Sequence, residues 1–306
     1  MKILITGGAG YIGTVLTKHL VKRSEVEKII IFDNLSRKNY NLFIGERMMF
    51  EEKVQFVNGD ILDLRKLTML LKDIDLVYHL AARVTTPFGN ADADLYEQVN
   101  HWGTAELVAA IEENENTKLI YLSTTSVYGS SEEYITEKSI PIPKTFYGIS
   151  KLRGEEHVKR LITHGRACIL RCANVYGFSR SMRFDAVINK FMFDANFERR
   201  IQINGNGKQI RAFIHVNVLI KVLIDLMLQD IPKGIYNVVD RNLQIMEIVD
   251  VMKEIYPDLE FVFLNQHLSL RQLQVSTDSD MRKYINYDNN LTLLEELVDF
   301  KNRFSF

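Results

Sequence analysis

The first thirteen residues constrain this chain more than any other stretch. Lys2-Ile3-Leu4-Ile5-Thr6 is a short apolar run, and Gly7, Gly10 and Gly13 follow it at intervals of three. The next segment, Thr14–Arg23, has helical periodicity. A strand, a glycine turn and a helix in direct succession let backbone N–H groups and a helix N-terminus cradle a pyrophosphate. Glycine-rich turns also occur as plain punctuation, so the spacing alone leaves both readings open.

The second apolar run, Ile29–Phe32, weighs toward the phosphate reading because it ends at Asp33, 20 residues after Gly13. A carboxylate there accepts hydrogen bonds from an adenosine ribose. Its charge repels the extra 2'-phosphate of NADP, which makes NAD the expected cofactor. Arg37 and Lys38 follow closely and could accommodate such a phosphate, although solvated surface is the commoner fate of such a pair. Asp60, in Asn58-Gly59-Asp60-Ile61, reads either as an acceptor for the adenine amino group or as a turn residue.

Apolar runs suited to buried parallel strands recur at Val54–Asn58, Leu76–Leu80, Leu119–Ser123 and Ala167–Leu170. Helical patterns at Leu64–Lys72, Leu95–Glu113 and Phe146–Leu161 lie between them. This alternation predicts an α/β fold with a doubly wound parallel sheet of Rossmann type. After Arg171 the pattern becomes irregular, with a short strand at Ile201–Ile203 and a turn at Gly205-Asn206-Gly207. The expected organisation is a dinucleotide-binding domain of residues 1–175 with about 206–236. A smaller, discontinuous substrate region would comprise about 176–205 and 237–306.

The 306 residues suffice for a large core, and 46% hydrophobic with 25% charged residues describes an ordered globular chain. Lys plus Arg number 38 against 39 Asp plus Glu, so no global charge draws the chain to nucleic acid or acidic lipid. Cys168 and Cys172 are the only cysteines, too few for a zinc set, and no metal site is expected. With a core strand at the very start and no apolar run long enough for a bilayer, a cytoplasmic protein is the expectation.

Two segments offer reactive groups. Tyr147 and Lys151 are four apart and share one helix face. Ser123, Thr124, Thr125 and Ser126 close a candidate strand, placing hydroxyls at the carboxyl edge where such sheets bind ligands.

Taken together, TGGAGYIG at Thr6 to Gly13, DNLS at Asp33 to Ser36, GDI at Gly59 to Ile61, HLAA at His79 to Ala82, YGISK at Tyr147 to Lys151, RCANVYG at Arg171 to Gly177 and GKQIRAFIHV at Gly207 to Val216 run through nearly the whole chain. On these residues the sequence resembles the extended short-chain dehydrogenase/reductase family, and within it the NAD-dependent nucleotide-sugar epimerases and dehydratases of the UDP-glucose 4-epimerase kind. The resemblance implies a cofactor site of Gly7, Gly10, Tyr11, Ile12, Gly13, Asp33, Asn34, Asp60, Ile61, Leu80, Ala81, Ala82 and Asn100, completed by Tyr147 and Lys151. It implies substrate contacts at Thr85, Thr124, Asn174, Arg211 and Arg271. The two arginines would hold a diphosphate, for which a planar guanidinium is suited. Ser269, two positions before Arg271, stands where the family often has an acid.

By the same resemblance Tyr147 exchanges the proton with the sugar, Thr124 hydrogen-bonds the reacting oxygen, and Lys151 lowers the Tyr147 pKa and holds the nicotinamide ribose. An ammonium roughly 5 Å from a phenolate at an effective dielectric of about 20 contributes on the order of 3 kcal/mol, which would bring the tyrosine near 8. Two departures from the family narrow the reaction. Thr125 and Ser126 occupy the positions of the acidic pair that dehydratases carry, and neutral hydroxyls eliminate water poorly. Cys172 replaces a Tyr or Phe near the nicotinamide.

The expected activity is therefore epimerisation of a nucleotide-diphosphate sugar through a transient ketone. The alternative is an NAD(P)H-dependent keto-sugar reductase, and a remote one is a non-catalytic dinucleotide-binding protein. A homodimer is expected through the helices of Leu95–Glu113 and Phe146–Leu161, because Leu95, Val99, Trp102, Leu107 and Ala110 exceed what one packing face needs.

Overall fold

The computed structural model describes residues 1–44, 50–84, 93–265, 270 and 272–305. Seven strands form the large sheet: β1 (Lys2–Thr6), β2 (Lys28–Asp33), β3 (Val54–Asn58), β4 (Leu76–His79), β5 (Lys118–Thr124), β6 (Ala167–Cys172) and β10 (Ile235–Val238). Their order is β10-β6-β5-β4-β1-β2-β3, with every pairing parallel. Each position of β4 and β6 is buried, as expected of parallel strands covered on both faces. The order reverses between β1 and β4. Ligands of such sheets lie outside the carboxyl ends of the strands at that point.

Two apolar clusters flank the sheet. One gathers Leu16 and Leu20 of α1 (Tyr11–Leu20) with Leu219, Val222 and Leu223 of α7 (Val216–Leu228). The other gathers residues of α2 (Leu64–Leu71), α4 (Gly103–Glu112) and α5 (Phe146–Thr163). A third cluster lies apart from the sheet and joins α6 (Val187–Phe197), β8 (Arg200–Asn204), α8 (Ile245–Ile255) and α9 (Leu293–Lys301). Buried Glu296 fastens α9 by accepting from Tyr176 and from Asn289 and pairing with Arg241.

Two small sheets complete the fold. In one, β7 (Asn174–Tyr176) runs parallel to β9 (Ile210–His215), which is antiparallel to β11 (Arg241–Gln244). In the other, β12 (Glu260–Leu264) runs parallel to β8. Within the segment 206–236, α7 packs on α1 and leads into β10 at the edge of the large sheet, while β9 belongs to a small one.

The stretch expected as one helix, Leu95–Glu113, is three pieces: α3 (Ala93–Tyr96), a π-helical turn at Glu97–Trp102, and α4. The π turn carries Asn100, whose side chain is held on both ends by the Arg83 backbone and by Ser150. Such turns interrupt helices where a side chain must be redirected. Of the five apolar residues expected to form a spare stripe, Leu107 and Ala110 are buried in this chain's own core and Val99 packs against it. Leu95 and Trp102 remain exposed.

Candidate active site

The glycine turn closes tightly on the end of β4. Gly7 has a φ of +70°, and a Cβ there would sit 2.6 Å from the Ala81 nitrogen. A Cβ on Gly13 would meet Gly8 Cα at 2.5 Å, so α1 starts flush against the turn. At Gly10 a Cβ would meet only the Gly7 oxygen, at 3.1 Å, leaving that face open. Gly10 is also the N-cap of α1, with no side-chain cap and no acid in the first turn. The orphan N–H groups and the positive end of the helix dipole are therefore available to an anion.

Asp33, at the end of β2, accepts from the Ala9 nitrogen at 3.0 Å and from the Leu35 nitrogen at 2.8 Å. Burial raises its pKa, against the two backbone donors that lower it. Its carboxylate is thus locked beside the glycine turn, the arrangement that suits a ribose and opposes a further phosphate. Asn34 donates to Asp60 at 2.9 Å, and the other Asp60 oxygen accepts from the Leu62 nitrogen at 3.0 Å. Ile61 is buried against α4, while Leu80, Ala81 and Ala82 lie half-buried at the end of β4. Ile12 is half-buried in the first turn of α1, and the Tyr11 hydroxyl donates to the Gly177 carbonyl at 2.6 Å. These residues gather at the carboxyl ends of β1, β2 and β4, where the free N–H groups at the start of α1 and the Asp33 carboxylate offer what a dinucleotide would need. Asn100 contributes there indirectly, by positioning the backbone of Arg83.

The reactive pair stands at the end of β5. Thr124 caps the turn that follows, accepting from the Ser126 nitrogen at 3.1 Å, and its hydroxyl lies near enough to Tyr147 on α5 to favour the charged form of that side chain. Cys172 is the register partner of Thr124 on β6. Lys151 is 1% exposed one turn further along α5, its ammonium 4.0 Å above the Tyr121 ring. Beneath it the Glu155 carboxylate accepts from Ser123 at 2.5 Å and pairs with Arg171 at 2.7 Å.

This electrostatic arrangement corrects the expectation for Tyr147. Its pKa is raised, because burial outweighs the lowering by the Arg183 charge and by the Thr124 hydrogen bond. Lys151 exerts no such pull, since burial brings its own pKa down to about 7 with only Glu155 opposing. In the folded chain the Lys151 ammonium is desolvated against an aromatic ring instead of being paired at full strength.

A stability effect follows from the Lys151 shift. With a folded pKa of about 7 against an ordinary 10.5, the unfolded chain binds the extra proton between those values. Stability of the cofactor-free protein at this group therefore rises with pH across that window, and the penalty is largest below pH 7. Lys151→Met is expected to raise the melting temperature of cofactor-stripped protein most at pH 6 and progressively less toward pH 10. A pH-independent difference would show that Lys151 carries no such penalty.

The distal groups are brought together by the small sheet. Asn174 on β7 is exposed and donates to the Ala212 carbonyl at 2.9 Å, next to Arg211 on β9. Arg211 is half-buried, burial lowers its pKa, and no carboxylate pairs with it among the described residues. A desolvated guanidinium without a counter-charge is a ready partner for phosphate. Thr85 and Arg271 lie outside the described residues.

Three participants carry little or no signal in the sequence. Glu155 is detectable in principle, since it stands four residues after Lys151 on the same helix face. Tyr96, whose ring lies 6.3 Å from that of Tyr147, and Arg183 come from an interrupted helix and an irregular segment without a periodic signal. Arg37, in the loop after Asp33, pairs with Asp185 at 3.4 Å.

A parallel sheet with a glycine turn and Asp33 beside its switch point, and Tyr147 and Lys151 on the helix next to β5, is the arrangement of a dinucleotide-dependent enzyme. The chain belongs to the NAD dependent epimerase/dehydratase family, which matches residues 3–238. NAD is the cofactor of this family. One curated relative, dTDP-D-glucose 4,6-dehydratase of Homo sapiens, is 29% identical over 94% of this chain and 79% of its own length. Among solved structures, UDP-glucuronic acid 4-epimerase from Bacillus cereus, in complex with UDP-glucuronic acid and NAD, superposes with a TM-score of 0.84 at 27% identity, covering 99% of this chain and 98% of that one. UDP-N-acetylglucosamine 4-epimerase from Methanobrevibacter ruminantium M1, in complex with UDP-N-acetylmuramic acid, superposes with a TM-score of 0.87 at 25% identity, covering 98% and 97%.

Proposed function

We propose that this protein is an NAD-dependent epimerase of a nucleotide-diphosphate sugar. The observation that carries this reading is the placing of Tyr147 on α5 beside Thr124 at the end of β5, a sheet edge whose next positions, Thr125 and Ser126, bring no acid. Tyr147 accepts the hydroxyl proton of the carbon being oxidised only as the phenolate, its own proton having first gone to solvent, and the phenol so formed returns that proton at the end; burial, which raises the Tyr147 pKa, places this form on the alkaline side. Thr124 holds the reacting oxygen, and Arg211 with Asn174 receives the diphosphate side of the substrate. When bound, NAD supplies a hydride acceptor that is regenerated in the same cycle. Elimination of water would need a second proton carrier beside Thr124, and neutral hydroxyls serve poorly there. The dehydratase named among the relatives is therefore the less suitable analogue for the reaction.

The segments around 176–205 and 237–306 supply the substrate side in this reading, and 1–175 with most of 206–236 the cofactor side. Exposed Leu95 and Trp102 suit a homodimer through the helices that carry them. Buried, unbridged Cys168 and Cys172 accord with a cytoplasmic setting, and no helix among the described residues is long and apolar enough to cross a membrane.

The purified protein should carry NAD, released on denaturation. Given UDP-glucose, UDP-glucuronic acid and UDP-N-acetylglucosamine in turn, it should convert at least one to its epimer without net change in NADH absorbance. Formation of a 4-keto-6-deoxy or pentose product, or stoichiometric consumption of added NADH, would overturn the reading.

A further inference from the structure

Residues 177–185 bridge the start of α1 and the loop that follows Asp33. On the α1 side, the Gly177 carbonyl accepts from the Tyr11 hydroxyl at 2.6 Å, Ser179 donates to the Tyr11 carbonyl at 2.9 Å, and Thr14 donates to the Ser181 hydroxyl at 2.9 Å. On the side of the loop that follows Asp33, Asn41 donates to the Arg180 carbonyl at 2.8 Å and Arg37 pairs with Asp185 at 3.4 Å. The same Asp185 oxygen accepts from Arg183 at 3.1 Å, and Arg183 is the cation acting on both Tyr147 and Tyr11. One segment therefore touches the start of α1, the loop beyond Asp33 and the surroundings of Tyr147, the three places a dinucleotide bound there would join.

Asp185 is the knot. Its Oδ1 is shared by Arg183 of the same segment and by Arg37 of the loop after Asp33, while its Oδ2 is buried without a hydrogen-bond partner among the described residues. An orphan buried acceptor is unfavourable by itself, so the two guanidinium groups hold the carboxylate where it is. Arg37 has its side chain 42% exposed, which makes its pairing the reversible one of the two.

We propose that residues 177–185 are a strap that retains the cofactor, fastened by Arg37 and Asp185. The proposal rests on the NAD reading above. The dinucleotide leaves its site only when the Arg37–Asp185 pairing opens and the strap lifts from the loop after Asp33. The strap also carries Arg183, so its closure sets the charge beside Tyr147.

The test uses the NAD-loaded protein as purified, exchanging bound NAD against an excess of radiolabelled NAD. Arg37→Ala is expected to exchange about threefold to fivefold faster than wild type, and Asp185→Asn, which weakens both pairings, about tenfold faster. Arg37→Lys should restore most of the retention. Raising the salt from 50 mM to 500 mM should speed exchange in the wild type and leave Arg37→Ala unchanged, because exposed ion pairs are screened. Arg37 is surface-exposed, so its variants keep the test decisive if Asp185→Asn folds poorly. Exchange at the wild-type rate from NAD-loaded Arg37→Ala would overturn the strap alone. A wild-type protein that neither carries nor binds NAD would overturn the strap together with the cofactor reading.

Discussion

Tyr147→Phe should abolish turnover, by at least about a thousandfold, while leaving the bound NAD content unchanged. In the reading proposed above, the Tyr147 phenolate takes the hydroxyl proton, and positioned proton transfer contributes roughly a hundredfold to ten-thousandfold. Thr124→Val removes the hydroxyl that, in the same reading, donates to the reacting oxygen, and should lower kcat by about a hundredfold. Because burial raises the Tyr147 pKa and Arg183 is the first group that lowers it, Arg183→Gln should move the acid limb of the rate profile to higher pH. Near-normal turnover by Tyr147→Phe, in an assay free of wild-type protein, would mean that another group carries the proton.

Glu155→Leu is expected to produce the largest loss of stability of any single substitution considered. The Glu155 carboxylate is fully buried, binds Arg171 through both oxygens and accepts from Ser123. Arg171 in turn donates to Tyr128, whose hydroxyl donates to Asn237. Removing one member of such a pair strands a buried guanidinium, at a cost of about 3–5 kcal/mol. The double variant Glu155→Leu with Arg171→Met removes both charges and should recover most of that loss. Urea unfolding of the two variants decides the matter. If the double variant were no more stable than the single one, the cost would lie in packing and not in the stranded charge.

The parts of this protein that follow a period are legible in its amino-acid order alone. β1 and β3 end where their apolar runs end, and the expected strands at Ile29–Phe32 and Leu119–Ser123 differ from β2 and β5 by a residue at each end. The glycine turn and the placing of Asp33 at the end of β2 are legible for the same reason: Gly7, Gly10, Gly13 and Asp33 sit at spacings set by strand and helix geometry. The π turn is not, because Leu95–Glu113 keeps a helical composition throughout and the interruption answers a distant demand, the Arg83 backbone. The pairing of β9 with β7 and β11 is also hidden, since nothing local distinguishes an apolar strand of one sheet from that of another. The Tyr147 electrostatics differ from expectation because charge spacing along a helix says nothing of burial, and it is burial that weakens Lys151 here.

The crossings between sheets are very short. A single residue, Ala173, separates β6 from β7, and Val239 and Asp240 alone separate β10 from β11. The carboxyl edge of the large sheet and the Arg211 side of the small one are therefore welded at two adjacent seams, with no linker to act as a hinge. A reaction that takes hydride from one face of a sugar and gives it back to the other requires some component to turn over between the two steps. Neither wall of this cleft has the slack to do so. In the reading proposed above, the turning part is therefore the sugar ring, about the bonds of its diphosphate, and Cys172, the register partner of Thr124, offers that turn a smaller side chain than an aromatic ring.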